Sequence, residues 1–150
     1  MIKTIRDIIG ENREPFSVDL NLSLQKAIEY MREMDIRAVA VCDKKDVVGV
    51  FSERDVLRNG VLEELDLTDI PVRDIMSSPA YWISMDERCD VAKAIMVKKR
   101  CGHLVVLDEA RTFRGFVSSQ ELLESDLVES RNLVGKLNDE YFAHNLDTTS

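Results

Sequence analysis

Within four residues, Ser52-Glu53-Arg54-Asp55 brings together a hydroxyl, a guanidinium and two carboxylates. Gly49-Val50-Phe51 precedes them, a short run of strand character. A strand that feeds a helix start presents unpaired backbone N–H groups and the positive end of the helix dipole, which favour an anion. At such a place Ser52 can donate to a phosphate oxygen and Arg54 can neutralise it, with Arg37 as a second candidate. Asp55 has the complementary chemistry. A carboxylate only accepts hydrogen bonds, which suits the two donors of a ribose diol. The same letters also fit a plain helix start, since Ser is a good N-cap and an acidic first turn favours the dipole.

The stretch is written twice. Gly115-Phe116-Val117-Ser118-Ser119-Gln120-Glu121 repeats it 66 residues later, with Gln120-Glu121 in place of Arg54-Asp55. Ser118-x-x-Glu121 satisfies the capping-box pattern outright. Glu121 is one methylene longer than Asp55, so any site at the second copy is expected to be weaker or altered. The repetition extends further. Ile5-Arg6-Asp7-Ile8-Ile9 recurs as Val72-Arg73-Asp74-Ile75-Met76, Ala27 and Met31 as Ala92 and Met96, and Asp43 as Asp108. The offset changes between elements, where loop lengths vary. Two copies are too few for a solenoid, so two half-modules burying faces against each other are expected.

The elements that carry these residues are legible in the pattern. In the first copy, residues 16–18 form a short extended piece. Ser23 caps a helix with Leu24, Ala27, Ile28 and Met31 on one face. Residues 38–42 are apolar and few, which favours a buried strand. A polar turn follows, then a second strand over 47–51, then a helix from Ser52 to about Arg58 that Gly60 ends. The second copy repeats the order: an extended piece at 81–83, a helix at 89–99, strands at 103–107 and 113–117, and a helix from about Ser119. Each copy is β-α-β-β-α, an α/β fold, with residues 62–70 and Pro71 as connector. The tail over 124–142 reads as helical. Leu123, Leu127, Ser130, Val134, Leu137 and Tyr141 keep the spacing of a narrow seam. That seam either pairs with a twin chain or lies on its own domain.

The ordered set, met twice, resembles the CBS domain, named after cystathionine β-synthase. Its marks are an Ala-x-x-x-Met helix, an apolar strand ending in Asp, and Gly-apolar-apolar-Ser/Thr-x-x-Asp leading into a helix. Ala27 and Met31, Val41-Cys42-Asp43 and Gly49 to Asp55 carry them in the first copy. Ala92 and Met96, Val106-Leu107-Asp108 and Gly115 to Glu121 carry them in the second. The resemblance covers about residues 2–124. It implies two repeats, 2–66 and 67–124, packed with pseudo-twofold symmetry as a Bateman module, then a C-terminal helix and tail over 125–150. It implies an adenosine-containing ligand (AMP, ADP, ATP or another adenosyl compound) held in clefts between the copies.

The first candidate site is Val18, Ile36, Arg37, Ala38, Ala40, Ser52, Arg54 and Asp55, the apolar members lining an adenine slot. The second, weaker one is Tyr81, Trp82, Ile83, Gly102, His103, Val105, Ser118, Gln120 and Glu121. Ala40 and Val105 stand where the family often has Pro, and Gly102 where it often has Arg. His103 is either a phosphate contact at the junction or a satisfied strand histidine. Tyr81 and Trp82 either stack on a base or belong to the core or an interface. Lys98-Lys99-Arg100 is either a solvated helix end or a phosphate clamp.

Composition bounds the rest. The chain has 150 residues, 45% of them hydrophobic and 32% charged, enough for a globular core in one domain or two small ones. The net charge of −8 argues against nucleic acid as a partner but leaves room for a single nucleotide. No apolar run approaches the roughly 18 residues of a membrane span, and the first ten residues lack a secretory pattern. Cys42, Cys89 and Cys101 are an odd set without CxxC, which suggests a reducing cytoplasm and no metal site. There is no GxSxG, HExxH or Walker loop, so no enzyme, no catalytic residue and no required cofactor are expected. The expectation is a stand-alone nucleotide-sensing homodimer that signals occupancy to a separate, unknown protein. The alternative is a ligand-free scaffold for dimerisation and interaction.

Overall fold

The computed structural model describes residues 2–58 and 66–137. The chain opens with α1 (Ile5–Ile9), β1 (Ser17–Asp19), α2 (Leu24–Met34), β2 (Ala38–Asp43), β3 (Asp46–Ser52) and α3 (Glu53–Arg58). A 3-10 turn over Val72–Asp74 starts the second half, followed by β4 (Trp82–Ser84), α4 (Cys89–Lys99), β5 (His103–Leu107), β6 (Phe113–Ser118) and α5 (Ser119–Leu137). Two three-stranded sheets result, β1-β2-β3 and β4-β5-β6. In each, the first strand runs parallel to the second and the third returns antiparallel. Both hairpins slip register at matching places, Val41/Cys42 and Val106/Leu107. The structure is the expected pair of β-α-β-β-α repeats.

Ser23 accepts from the Lys26 N–H at 3.2 Å and so caps α2, as its sequence suggests. Leu24, Ala27 and Met31 then fall on one buried face. They meet Val39, Val41 and Phe51 of the sheet in one core. Their repeat mates Cys89, Ala92 and Met96 meet Leu104, Val106 and Val117 in the other. The Ala-x-x-x-Met signature is thus a packing device: the small residue lets the helix approach the sheet, and the flexible one fills what remains.

The short helix α1 was not legible as an element. Its start is fixed by Asp7, whose carboxylate accepts the Thr4 N–H at 2.9 Å. The segment packs across the repeats. Ile5 and Ile9 lie in the second repeat's core, beside Ile83 and Met85. The Ile5 N–H donates to the Glu87 carbonyl and the Arg6 N–H to the Met85 carbonyl. Their mate Val72 lies in the first repeat's core, and its N–H donates to the Leu22 carbonyl. Each repeat is therefore completed by the opening segment of the other.

α5 is one continuous helix from the second repeat into the tail. Its inner face is tied down by buried Leu122, by Lys93–Asp126 at 2.7 Å and by Lys3–Glu129 at 3.0 Å. Leu123 and Leu127, at the start of the seam, point outward and are 59% and 47% exposed. Gly60, residues 62–65 of the connector, Tyr141, His144 and the rest of 138–150 lie outside the described residues. No helix among the described residues is long and apolar enough to cross a membrane.

Candidate functional site

The segment entering the second repeat crosses the edge of β3. Val50 and Ser77 exchange both backbone hydrogen bonds, N to O, at 2.9 and 2.8 Å. A Cβ at Gly49 would sit 2.5 Å from Met76 Sδ and 2.9 Å from the Ser77 carbonyl oxygen. The glycine that opens the motif is there to let the second repeat's entry segment pass. The crossing brings Ser77 to Asp55, and its hydroxyl donates to Asp55 Oδ1 at 2.6 Å. Asp55 Oδ2 accepts from the Ser52 N–H at 2.8 Å and the Ser52 hydroxyl at 3.2 Å. Asp55 is only 4% exposed. Asp55 thereby makes the carboxylate half of a capping box at the start of α3. A diol meeting Asp55 would share an oxygen already held by one of these donors.

Over this crossing opens a cavity of about 620 Å³. The first repeat contributes Arg37, Val50 and the Ser52-to-Asp55 stretch with Arg58; the second contributes 76–81 and 99–103. Among the described residues five cations line it (Arg37, Arg54, Arg58, Lys99 and Arg100) against two carboxylates, Glu53 and Asp55. Among the described residues none of the five joins an ion pair. Three are held by neutral groups. Arg54 donates to the Arg100 carbonyl at 2.7 Å, Arg37 to Gln120 Oε1 at 3.1 Å, and Lys99 lies 5.2 Å from the centre of the Tyr81 ring. His103 stands edge-on to Phe116. Burial pushes its imidazole below the ordinary value of 6.5; the nearby Glu121 works against this and Arg37 with it. Burial likewise raises the Cys101 thiol, so the wall presents a neutral thiol there. Among the described residues no group of three His, Cys, Asp or Glu is set to hold a metal ion.

The grouping in space differs from the grouping by repeat. Arg37, Ser52, Arg54 and Asp55 share this cavity with Tyr81, Gly102 and His103 of the second repeat. Val18, Ala38 and Ala40 are buried within the first repeat, and Ile36 packs beside that core. Ile83 is buried in the second. Trp82 and Val105 line another hollow of about 250 Å³, where Arg111 covers the indole at 5.1 Å. The cause is the crossing: a motif at the end of β3 faces the entry segment of the other repeat. Ser77, Ser78 and Arg58 are cavity residues that the sequence did not single out. The recurrence at 5–9 and 72–76 was the available signal that a segment beside 77 mattered.

Ser118, Gln120 and Glu121 occupy the mate of this junction. The Ser118 N–H donates to Glu121 Oε1 at 3.2 Å and the Glu121 N–H to Ser118 Oγ at 3.0 Å, a closed capping box. Arg13, from the segment entering the first repeat, reaches Glu121 Oε2 at 2.5 Å and donates to the Phe116 carbonyl at 3.1 Å.

Two crossed β-α-β-β-α repeats with a cationic cavity at their junction define the class. The CBS domain model matches residues 5–61 and 72–127, and the chain belongs to that family. Among solved structures it is similar to a protein with CBS domains from Burkholderia ambifaria, with TM-score 0.77 and 29% identity over 84% of this chain and 95% of that one. It also shares its fold with the CBS domain pair of protein MJ0100, solved with 5′-methylthioadenosine and S-adenosyl-L-methionine, with TM-score 0.70 and 21% identity over 91% and 99%. Among curated relatives, an inosine-5′-monophosphate dehydrogenase of Nitrosopumilus maritimus is 27% identical over 81% of this chain. The match spans only 24% of that enzyme's length. An uncharacterized protein of Methanopyrus kandleri is 30% identical over 63% of this chain and 48% of its own length.

Proposed function

We propose that the cavity at the β3 crossing binds one adenosine-containing nucleotide, and that the chain acts as a non-catalytic sensor whose occupancy a partner protein reads. The observation that carries this reading is a cavity of about 620 Å³ with five cations free of ion pairs among the described residues, in a chain of net charge −8. Cations left without carboxylate partners favour a phosphate-bearing ligand. Asp55, Ser52 and Ser77 offer the hydroxyl and carboxylate chemistry of a ribose subsite; Arg54, Arg58, Lys99 and Arg100 offer the charge. The adenosyl ligands of the MJ0100 pair support the ligand class. The cavity's positive charge favours AMP, ADP or ATP over a sulfonium compound such as S-adenosyl-L-methionine. Signalling follows if the ligand binds one placement of the repeats better than another.

Calorimetry with AMP, ADP, ATP, S-adenosyl-L-methionine and 5′-methylthioadenosine tests it. Binding of a phosphate-bearing member, abolished or strongly weakened in Asp55→Ala, is expected. No heat and no melting shift with any of them at millimolar concentration would sink the proposal.

The outward Leu123 and Leu127 of α5 favour a second reading, a dimerisation scaffold. Sedimentation of a Leu123→Asp/Leu127→Asp variant separates the two. Loss of a dimer together with unaltered nucleotide binding assigns assembly and sensing to different parts of the chain.

A further inference from the structure

The two junctions are related by the repeat, but their charges are not. Each cation of the first cavity has a mate in the other repeat. Arg37 corresponds to Gly102, Arg54 to Gln120, Arg58 to Glu124, Lys99 to Met34 and Arg100 to Asp35. None of these mates is cationic, and two are carboxylates. Arg13 runs the other way: its mate, Ala80 at the offset of the segment before it or Ser78 at that of the segment after, is uncharged.

The geometry gives Arg13 a specific seat. Its guanidinium holds Glu121 Oε2 at 2.5 Å and donates to the Phe116 carbonyl at 3.1 Å. Its stem lies on Gly115, where φ is +118° and a Cβ would meet Arg13 Cγ at 3.2 Å. The pair is half-buried, with side chains 32% and 28% exposed. In the first junction the mate of Glu121 is Asp55, and what the crossing segment brings to it is a serine hydroxyl, that of Ser77. A small hydroxyl leaves room beside a carboxylate. An arginine fills that room and takes the acceptor a ribose would use.

We propose that Arg13 is a built-in occupant of the second junction and the residue that limits the chain to one nucleotide. For the ligand's identity this rests on the nucleotide reading of the first cavity. With Arg13 removed, the second junction regains an acceptor in Glu121 and keeps one cation within reach, Arg37 on Gln120, against the five that line the first cavity. It would then take the neutral nucleoside adenosine in preference to a phosphate ester.

Calorimetric titration of the full chain with adenosine and with AMP, on wild type, Arg13→Ala and Arg13→Met, tests this. The methionine keeps an aliphatic stem on Gly115 and guards against a variant that does not fold. One adenosine per wild-type chain and two per variant chain are expected, with AMP remaining at one. An unchanged adenosine count in a folded variant overturns the proposal. So does adenosine seated on Glu121 in a crystal structure of the saturated wild-type protein, a result independent of any variant. If wild type binds none and the variants bind one, the nucleotide reading of the first cavity falls while the role of Arg13 stands.

Discussion

Arg54 spans the two repeats through the Arg100 carbonyl and still lines the cavity. Truncating it removes a charge-assisted interaction, worth roughly 1.5–3 kcal/mol where the partner is a phosphate. Arg54→Ala is expected to weaken AMP binding by about 10- to 100-fold, as read by calorimetry against a melting curve that controls for the lost cross-repeat bond. Gly49 answers to packing alone. Gly49→Ala drives a Cβ onto Met76 Sδ and the Ser77 carbonyl, at a cost of about 1–3 kcal/mol in denaturant unfolding. His103 sets a pH dependence. Its folded pKa lies below the unfolded value, chiefly through burial. Below pH ~6.5 the unfolded chain therefore binds the proton more readily than the folded one. The contribution is full above that value and is lost as pH falls through the lowered folded pKa. Guanidinium titrations should show stability falling with pH in this window, and a flatter profile in His103→Leu.

At the scale of elements, hydrophobic period and caps carried most of the information. The helix at 89–99 and the strand at 103–107 were placed where the structure has them, because short apolar strands and an i, i+3, i+7 face leave little freedom. What did not show was the crossing. The Ile5–Ile9 segment reads as a local repeat, yet its apolar face is buried by residues about eighty positions away. Periodicity reports that a face is buried and is silent about which core buries it. The same gap split the first cavity's residues between two sites in the sequence reading. Arg37 and Asp55 sit in one repeat, Tyr81 and His103 in the other, and only the crossing unites them. Ile5→Ala tests the element directly. Ile5 is fully buried, so the substitution is expected to cost about 2–5 kcal/mol. Amide exchange should quicken first in β4, β5 and β6, the sheet that α1 covers, although Ile5 belongs to the first repeat in the chain. Earlier loss of protection in β1, β2 and β3 would show that α1 serves its sequence neighbours instead.

Across the whole molecule, net charge conceals local sign. The chain is acidic overall, yet three separated stretches pool five cations in one cavity. Composition could argue against a nucleic-acid face and could not reveal this pooling. The crossing also joins the repeats thermodynamically. Ile5 and Ile9 complete the second core, Val72 completes the first, and the cavity takes its walls from both. Neither repeat keeps its core intact when the other opens. Calorimetric unfolding is therefore expected to show one transition, with calorimetric and van't Hoff enthalpies in agreement. A ligand held by both repeats must move that transition as a unit, by about 2.7 kcal/mol at a hundred times its dissociation constant. On the proposed attraction of the ligand by charge, the shift should shrink as salt rises from 50 to about 500 mM. Two resolved transitions, or one that AMP moves while another stays, would mean that the repeats are stabilised independently and that the cavity does not couple them.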